Sequence, residues 1–428
     1  MLNGWGTLSE LLYGVGQALL NPLLYLFALL IYLQYRKQMA MERQLFAVRL
    51  HVPLAQTLRA IGWGTVGGLL VSLLAAVLGV VVQVADLWLT GFLAICLAFL
   101  RLRYLCLAYG AGVLTLLHTA ALLWPQPAQL PGMIGTVWGW LLAVQPVPLL
   151  ALVALLHLAE AILVRAFGSR DASPLFINGK RGRIVGAYQL QSFWLTPLFL
   201  LVPTDSPAAW AGTFYPGWPL FSPGWDSAAS SALLLLPAVT GFSDLTQAMT
   251  PGRKVRESSR ILLLYAILLL GLAYAAAWLP ALAVLAALFA LIGHEALVWY
   301  SRRREQTLPP CFVPSSKGVK VLAVLPGSPA DDLGIMPGEI IVKVNGMTVR
   351  DKEDLYPALQ ANPAYCKMEV LTREQEVKFL QCAIYAGHHH QLGIIVVPDE
   401  KTEYYLDIPR LSLVQLLGKQ LQKLKLGA

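Results

Sequence analysis

The chain has 428 residues, 57% of them hydrophobic and only 13% charged, with a formal net charge of +8. Soluble globular domains carry about 25% charged residues. A chain this poor in charge, with apolar runs as long as a bilayer is thick, excludes an ordinary soluble fold and reads as an α-helical polytopic membrane protein. The basic surplus then argues orientation in the membrane, not nucleic-acid binding.

Apolar stretches long enough to consider as spans lie near 10–33, 61–82, 87–100, 104–124, 138–163, 189–203, 231–249, 261–279 and 281–300, which predicts about eight or nine crossings. The 87–100 stretch is short. The 189–203 stretch carries polar residues and ends in Leu201-Val202-Pro203. The 231–249 stretch holds Pro237, Gly241 and Asp244 and also reads as re-entrant. No cleavable signal peptide is expected, because residues 1–9 lack a basic region and no small-residue cleavage site follows. Basic residues fall in every second connection: Arg36 to Arg59, Arg101 and Arg103, Arg165 to Arg183, Arg253 to Arg260, and Arg302 to Arg304. The positive-inside rule places those connections, and everything after Tyr300, in the cytoplasm, with the N-terminus outside. The segment "AAWAGTFYPGWPLFSPGWD" on the opposite side is dense in aromatics and is expected to lie on the outer leaflet.

From Leu308 the composition turns soluble. "LPPCFVP" is a short stiff linker. "GVKVLAVL" predicts a strand, "EIIVKVNGMTV" a strand with a tight Asn345-Gly346 turn, and "DKEDLYPALQANP" a helix capped by Asp351. "KMEVLTREQEVKFLQ" predicts two strands across a turn, and "QLGIIVVP" a last strand. The expected organisation is a transmembrane domain over 1–304, a linker over 305–314, a small α/β domain over 315–399 and an amphipathic basic tail over 400–428. In the tail, Leu413, Leu417, Leu421 and Leu424 form one stripe with Lys419, Lys423 and Lys425 around it. It reads as a membrane-surface or partner-docking helix, or as one packed back on the α/β domain.

The run "VKVLAVLPGSPADDLGIMPGEIIVKVNGMTVRDKEDLYPAL" resembles a bacterial PDZ domain. With "QLGIIVVP" coming last, the order resembles the circularly permuted PDZ domains of intramembrane metalloproteases. The resemblance implies a peptide groove. Its strand edge would be Leu392, Gly393, Ile394, Ile395 and Val396, and its opposite wall Leu355, Ala358 and Leu359. Such a groove takes a peptide as an added strand. The alternative is that the chain's own linker or tail fills it. His388, His389 and His390 precede the strand and read as a solvated loop, since neighbours on a strand alternate faces.

Catalytic patterns are missing. His294-Glu295 ends the last apolar stretch, but the second histidine of an H-E-x-x-H zinc motif would fall at Val298. His157 and Glu160 share one face of the fifth stretch. With His294 and Glu295 they make a set of four intramembrane polar candidates, for which a polar helix–helix contact is expected, and no metal. The cysteines, Cys96, Cys106, Cys311, Cys366 and Cys382, are scattered and suggest neither a disulfide framework nor a zinc cluster. No cofactor is expected.

The opening "GVGQALLNPLLYLFALLIYLQYRKQMAMERQLFAVRLH", "LPAVTGFSDLT", "GHEALVWYSRRRE" and the ending "HHHQLGIIVVPD" resemble the MinJ-like cell-division topological determinants of Gram-positive rod-shaped bacteria, up to about Asp399. That resemblance implies a non-enzymatic membrane adaptor at septum and poles. Its partners would be DivIVA-like and MinD-like proteins and membrane lipid; other divisome proteins and further copies of the chain stay open as candidates. The alternatives are a relative or regulator of site-2 type intramembrane metalloproteases, or a membrane sensor acting in motility or secretion.

Overall fold

The structure is a computed structural model and describes residues 16, 20–124, 132–204, 213–222, 230–362, 364–383, 392–399, 401–402 and 404–406. Its helices are α1 (Pro22–Phe46), α2 (Pro53–Leu78), α3 (Val84–Leu100), α4 (Leu107–Leu123), α5 (Gly132–Ala143), α6 (Pro146–Phe167), α7 (Pro251–Trp278) and α8 (Leu282–Thr307). Among the described residues four of these, α2, α6, α7 and α8, are long and apolar enough to cross a membrane. The expected count of eight or nine spans is therefore corrected. α3 and α4 are shorter apolar helices. The expected 138–163 span is two helices, because proline opens α6 at its first turn and disfavours helical backbone just before it. α1 is capped by Asn21, whose side chain accepts from the Leu23 amide at 3.0 Å.

The larger correction concerns 189–203 and 231–249. Both fold as β-structure. β1 (Ser173–Asn178), β2 (Ile184–Pro203) and β3 (Ser231–Thr246) form an antiparallel sheet in that order. Pro197 lies opposite Pro237 in the register. A proline inside a helix costs about 3 kcal/mol. In a strand whose amides face away from the partner it costs no ladder bond, so this pairing suits two segments that each carry a central proline.

Beyond β1, the outer edge of β2 would be bare in apolar surroundings, which is costly. It is covered by α1 and α2. The Phe199 amide donates to Ser72 Oγ at 2.8 Å, and the Phe193 amide to the Tyr35 hydroxyl at 3.4 Å. The Leu201 carbonyl accepts from the Val82 amide at 2.9 Å. Gly64 and Gly68 of α2 face the same edge. A Cβ there would lie 2.2 Å from the Leu195 carbonyl oxygen and 2.3 Å from that of Pro197. Small residues four apart let a backbone approach this closely.

α6 is the centre of the helical layer. It is buried along nearly all its length against α7, α2, α4 and β3. Its Ala151, Ala154, Ala159 and Ala161 keep neighbours near, and α8 presents Ala283, Ala286, Ala287 and Ala290 as a matching small-residue face. Of the aromatic segment expected on the outer leaflet, Trp218 and Phe221 are buried. The Trp218 indole and the Tyr215 hydroxyl donate to the Ala76 and Val77 carbonyls of α2 at 3.0 and 3.1 Å. These rings satisfy carbonyls that a helix C-terminus leaves open. Trp210 and Trp225 lie outside the described residues.

The C-terminal region holds β4 (Val319–Val324), α9 (Pro329–Asp332), β5 (Ile340–Val344), β6 (Met347–Thr348), α10 (Lys352–Gln360), β7 (Tyr365–Leu371), β8 (Val377–Ala383) and β9 (Ile394–Val396). The sheet order is β8-β7-β5-β4-β9, with β6 paired to β5. Asn345 and Gly346 both have positive φ, as the tight hairpin turn between β5 and β6 demands. Asp351 accepts from the Glu353 and Asp354 amides at 3.0 Å each, as expected of its cap. The region is docked on the first sheet. Phe312 is fully buried beside Tyr188, and the Gly186 amide donates to the Phe312 carbonyl at 2.9 Å. The Tyr188 hydroxyl donates to the Leu322 carbonyl.

Candidate functional site

Two places carry the residues singled out from the sequence. The first is the outer edge of β9. This strand ends its sheet and, among the described residues, pairs with β4 alone. Leu392 is buried in one cluster with Leu355, Ala358 and Leu359 of α10, and Ile394 and Val396 pack against that cluster. Ile395 alternates to the other face and is buried with Tyr188 and Phe312 at the junction. Six side chains thus meet between β9 and α10, and Ile395 offers only its backbone there. Gly393 has φ +78°, and a Cβ on it would lie 2.2 Å from the Ser328 Cβ. Its carbonyl accepts from the Leu325 amide at 2.8 Å, and that of Leu392 from the Ala330 amide at 3.0 Å, which fixes the turn into the strand.

Beyond β9 the chain does not enter this edge within the described residues. Lys401 pairs with Glu353 at 2.5 Å, and the Leu406 amide then donates to the Phe176 carbonyl of β1 at 2.8 Å. His388, His389 and His390, and the tail from 407 to 428, lie outside the described residues.

The second place is a polar cluster among α4, α6 and α8. His157 and His294 meet, with ring centroids 5.5 Å apart. The structure adds Cys106, just before α4, whose Sγ lies 3.5 Å from His157 Nε2. One donor atom from each of Cys106, His157 and His294 lies within 4.8 Å of the others, so these three side chains are placed to hold a metal ion. Glu295 points away from this trio. It pairs with Arg103 at 2.9 Å and accepts from the Tyr109 hydroxyl at 2.9 Å. Glu160 is half-buried and makes no hydrogen bond or ion pair with any described residue. In the sequence, Arg103 reads as part of a basic connection and Cys106 as one of the scattered cysteines, Tyr109 goes unremarked, and nothing links the three to this cluster. Their only signal was a cysteine and an arginine three residues apart at the mouth of an apolar stretch.

A third polar group ties the start of α7 and the end of α8 to the end of β3. Lys254 is buried and reaches Glu305 at 3.1 Å, Asp244 at 3.5 Å and Ser301 Oγ at 2.8 Å. Glu305 accepts from the Gln247 and Ala248 amides at 2.9 and 3.0 Å. Asp244 closes a strand, Lys254 opens a helix, and each neutralises a charge that burial would otherwise penalise.

A PDZ domain family matches residues 320–373. The chain is 31% identical, over 93% of its length and 97% of the relative, to the cell division topological determinant MinJ of Bacillus subtilis (strain 168). It is 26% identical to proteins named probable cell division topological determinant MinJ in Lacticaseibacillus paracasei and Lacticaseibacillus casei (strain BD-II), over 84% of this chain and 90% of each relative. No solved structure matches it.

Proposed function

The chain belongs to the family of cell division topological determinants named MinJ, and from that membership we propose that it is a non-enzymatic membrane adaptor of division-site selection. It links a DivIVA-like protein to a MinD-like protein at septum and poles, as a multi-pass protein with its PDZ domain and C-terminus in the cytoplasm. The observation that carries this reading is an identity that runs through 93% of the chain, apolar helices and PDZ domain alike. The edge of β9, backed by α10, supports a role in taking an extended peptide as an added strand. Other divisome proteins, lipid and further copies of the chain are proposed contacts.

Two observations weigh against an H-E-x-x-H protease. Val298 stands at the second histidine's place, and Glu295 is held by Arg103 and Tyr109 instead of facing a reacting water. The relatives are named as topological determinants, not as enzymes.

The test is a fluorescent fusion expressed at native level, together with cross-linked retrieval of DivIVA and MinD. Enrichment at septa and poles with both partners recovered is expected. An even distribution around the envelope of dividing cells, with neither partner recovered, overturns the adaptor role.

A further inference from the structure

We propose that Cys106, His157 and His294 form a binding site for a zinc-class divalent cation, built at the meeting of three separate segments of the helical layer.

The donor set is right for such an ion. A thiolate and two imidazoles suit zinc, which favours tetrahedral sulfur and nitrogen ligands. The spacing is right as well. Zinc–sulfur and zinc–nitrogen bonds of about 2.3 and 2.0 Å put sulfur and nitrogen about 3.5 Å apart on one tetrahedral ion. Cys106 Sγ and His157 Nε2 are already 3.5 Å apart, and the whole trio lies within 4.8 Å.

Hydrogen bonding also prepares both rings. His157 Nδ1 faces the Val153 carbonyl at 2.8 Å, which only accepts, so Nδ1 carries the proton and Nε2 keeps its lone pair. Tyr109 donates to Glu295, so its oxygen accepts from His294 Nδ1 at 3.2 Å, which leaves the lone pair on His294 Nε2 too. Arg103 completes this outer chain at 2.9 Å from Glu295. A ring fixed through one nitrogen by a carbonyl or by a carboxylate relay is the arrangement that orients histidine toward metal. A bland polar contact would need donors for both lone pairs, and the Cys106 thiol supplies one.

Three protein ligands leave a fourth position, for water or for the carboxylate of Glu160, three residues beyond His157 on α6. A thiolate and a carboxylate together would neutralise the ion in an apolar setting. Binding releases one proton, from Cys106, when water takes the fourth position, and a second when the Glu160 carboxyl takes it, because both ring nitrogens offered are unprotonated. The bound ion would tie the start of α4 to α6 and to α8, the helix that leads into the docked C-terminal region.

The test uses full-length protein purified in detergent, stripped with chelator and titrated with Zn(II) or with Co(II) as a spectroscopic stand-in. One ion per chain is expected, with a thiolate-to-cobalt charge-transfer band and release of one proton with water as the fourth ligand, or two with Glu160. Cys106→Ser should abolish the band, and His157→Asn and His294→Asn should each abolish stoichiometric binding. Tyr109→Phe should weaken affinity roughly 10–100-fold and leave the band in place. His118→Asn, whose ring bonds the Leu141 carbonyl elsewhere on α4, should change nothing.

Because the ligand variants can misfold, monodispersity is checked for each, and the wild-type cobalt spectrum stands as a separate readout. Monodisperse wild-type protein without a thiolate–cobalt band overturns the proposal. So does binding that survives Cys106→Ser, or binding that is lost only when His388, His389 and His390 are all replaced by alanine.

Discussion

At the scale of single residues, two positions make sharp demands. Gly393 combines a left-handed φ of +78° with contact against Ser328. Any side chain pays for the conformation, about 1–2 kcal/mol, and then meets the Ser328 Cβ. Gly393→Ala should lower the unfolding midpoint of the PDZ region, read by chemical denaturation of the full chain in detergent, and Ser328→Gly should restore part of the loss. Glu42 and His51, beyond the apolar part of α1 and ahead of α2, form a buried pair at 2.7 Å. Burial opposes the charge on each. Their mutual hydrogen bond and attraction outweigh it, so His51 is raised above the ordinary histidine value and Glu42 is held below the ordinary glutamate value. The part due to His51 is therefore complete below its ordinary value and fades as pH rises through the raised one. The part due to Glu42 fades as pH falls through the lowered one. Thermal midpoints should be flat between the ordinary glutamate and ordinary histidine values, and fall as pH rises from the ordinary histidine value through the raised one. His51→Gln should remove that alkaline decline.

At the scale of elements, the contact between α2 and β2 decides how a long hairpin sits among apolar helices. Ser72 is its polar link. Ser72→Ala leaves the Phe199 amide without a partner in buried surroundings, a loss of about 1–3 kcal/mol. Gly68→Leu forces side-chain atoms into the space of the Pro197 carbonyl and should destabilise more than Ser72→Ala does. Both effects are measurable as shifts in thermal aggregation of the detergent-solubilised protein, ranked against Gly62→Ala, where nothing lies within 4 Å. If Gly68→Leu is no worse than Gly62→Ala, the close packing of helix on strand is wrong.

For the whole molecule, the question is whether the PDZ region moves as a tethered bead or as part of one body. Phe312 is fully buried between β2 and the second sheet, and Leu406 returns to extend β1. Phe312→Ala removes a buried ring, worth about 3–5 kcal/mol of local packing. It should open the segment 308–317 to protease while each half keeps its own unfolding signal. Unchanged cleavage would mean that the region is held by other contacts. A docked PDZ region whose β9 pairs, among the described residues, with β4 alone is consistent with the proposed adaptor role.

Much of the C-terminal region was legible in the sequence, because its signals are local. Asn345-Gly346 sets a turn, Asp351 caps a helix, and alternation along 318–325 marks a strand, each within a few residues. The apolar character of the first 300 residues was equally plain. The hairpin was not, since 189–203 and 231–249 are apolar enough for either structure, and only the pairing of Pro197 with Pro237 and the glycine face of α2 select strands. The four polar residues flagged within apolar stretches divided in space. His157 and His294 came together, while Glu295 turned to Arg103. Composition and local pattern determined the apolar character of the N-terminal region and the PDZ domain. Tertiary structure alone decided which of these polar groups meet, because residues 106, 157 and 294 are brought together by helix packing, which leaves no period in the chain to be read.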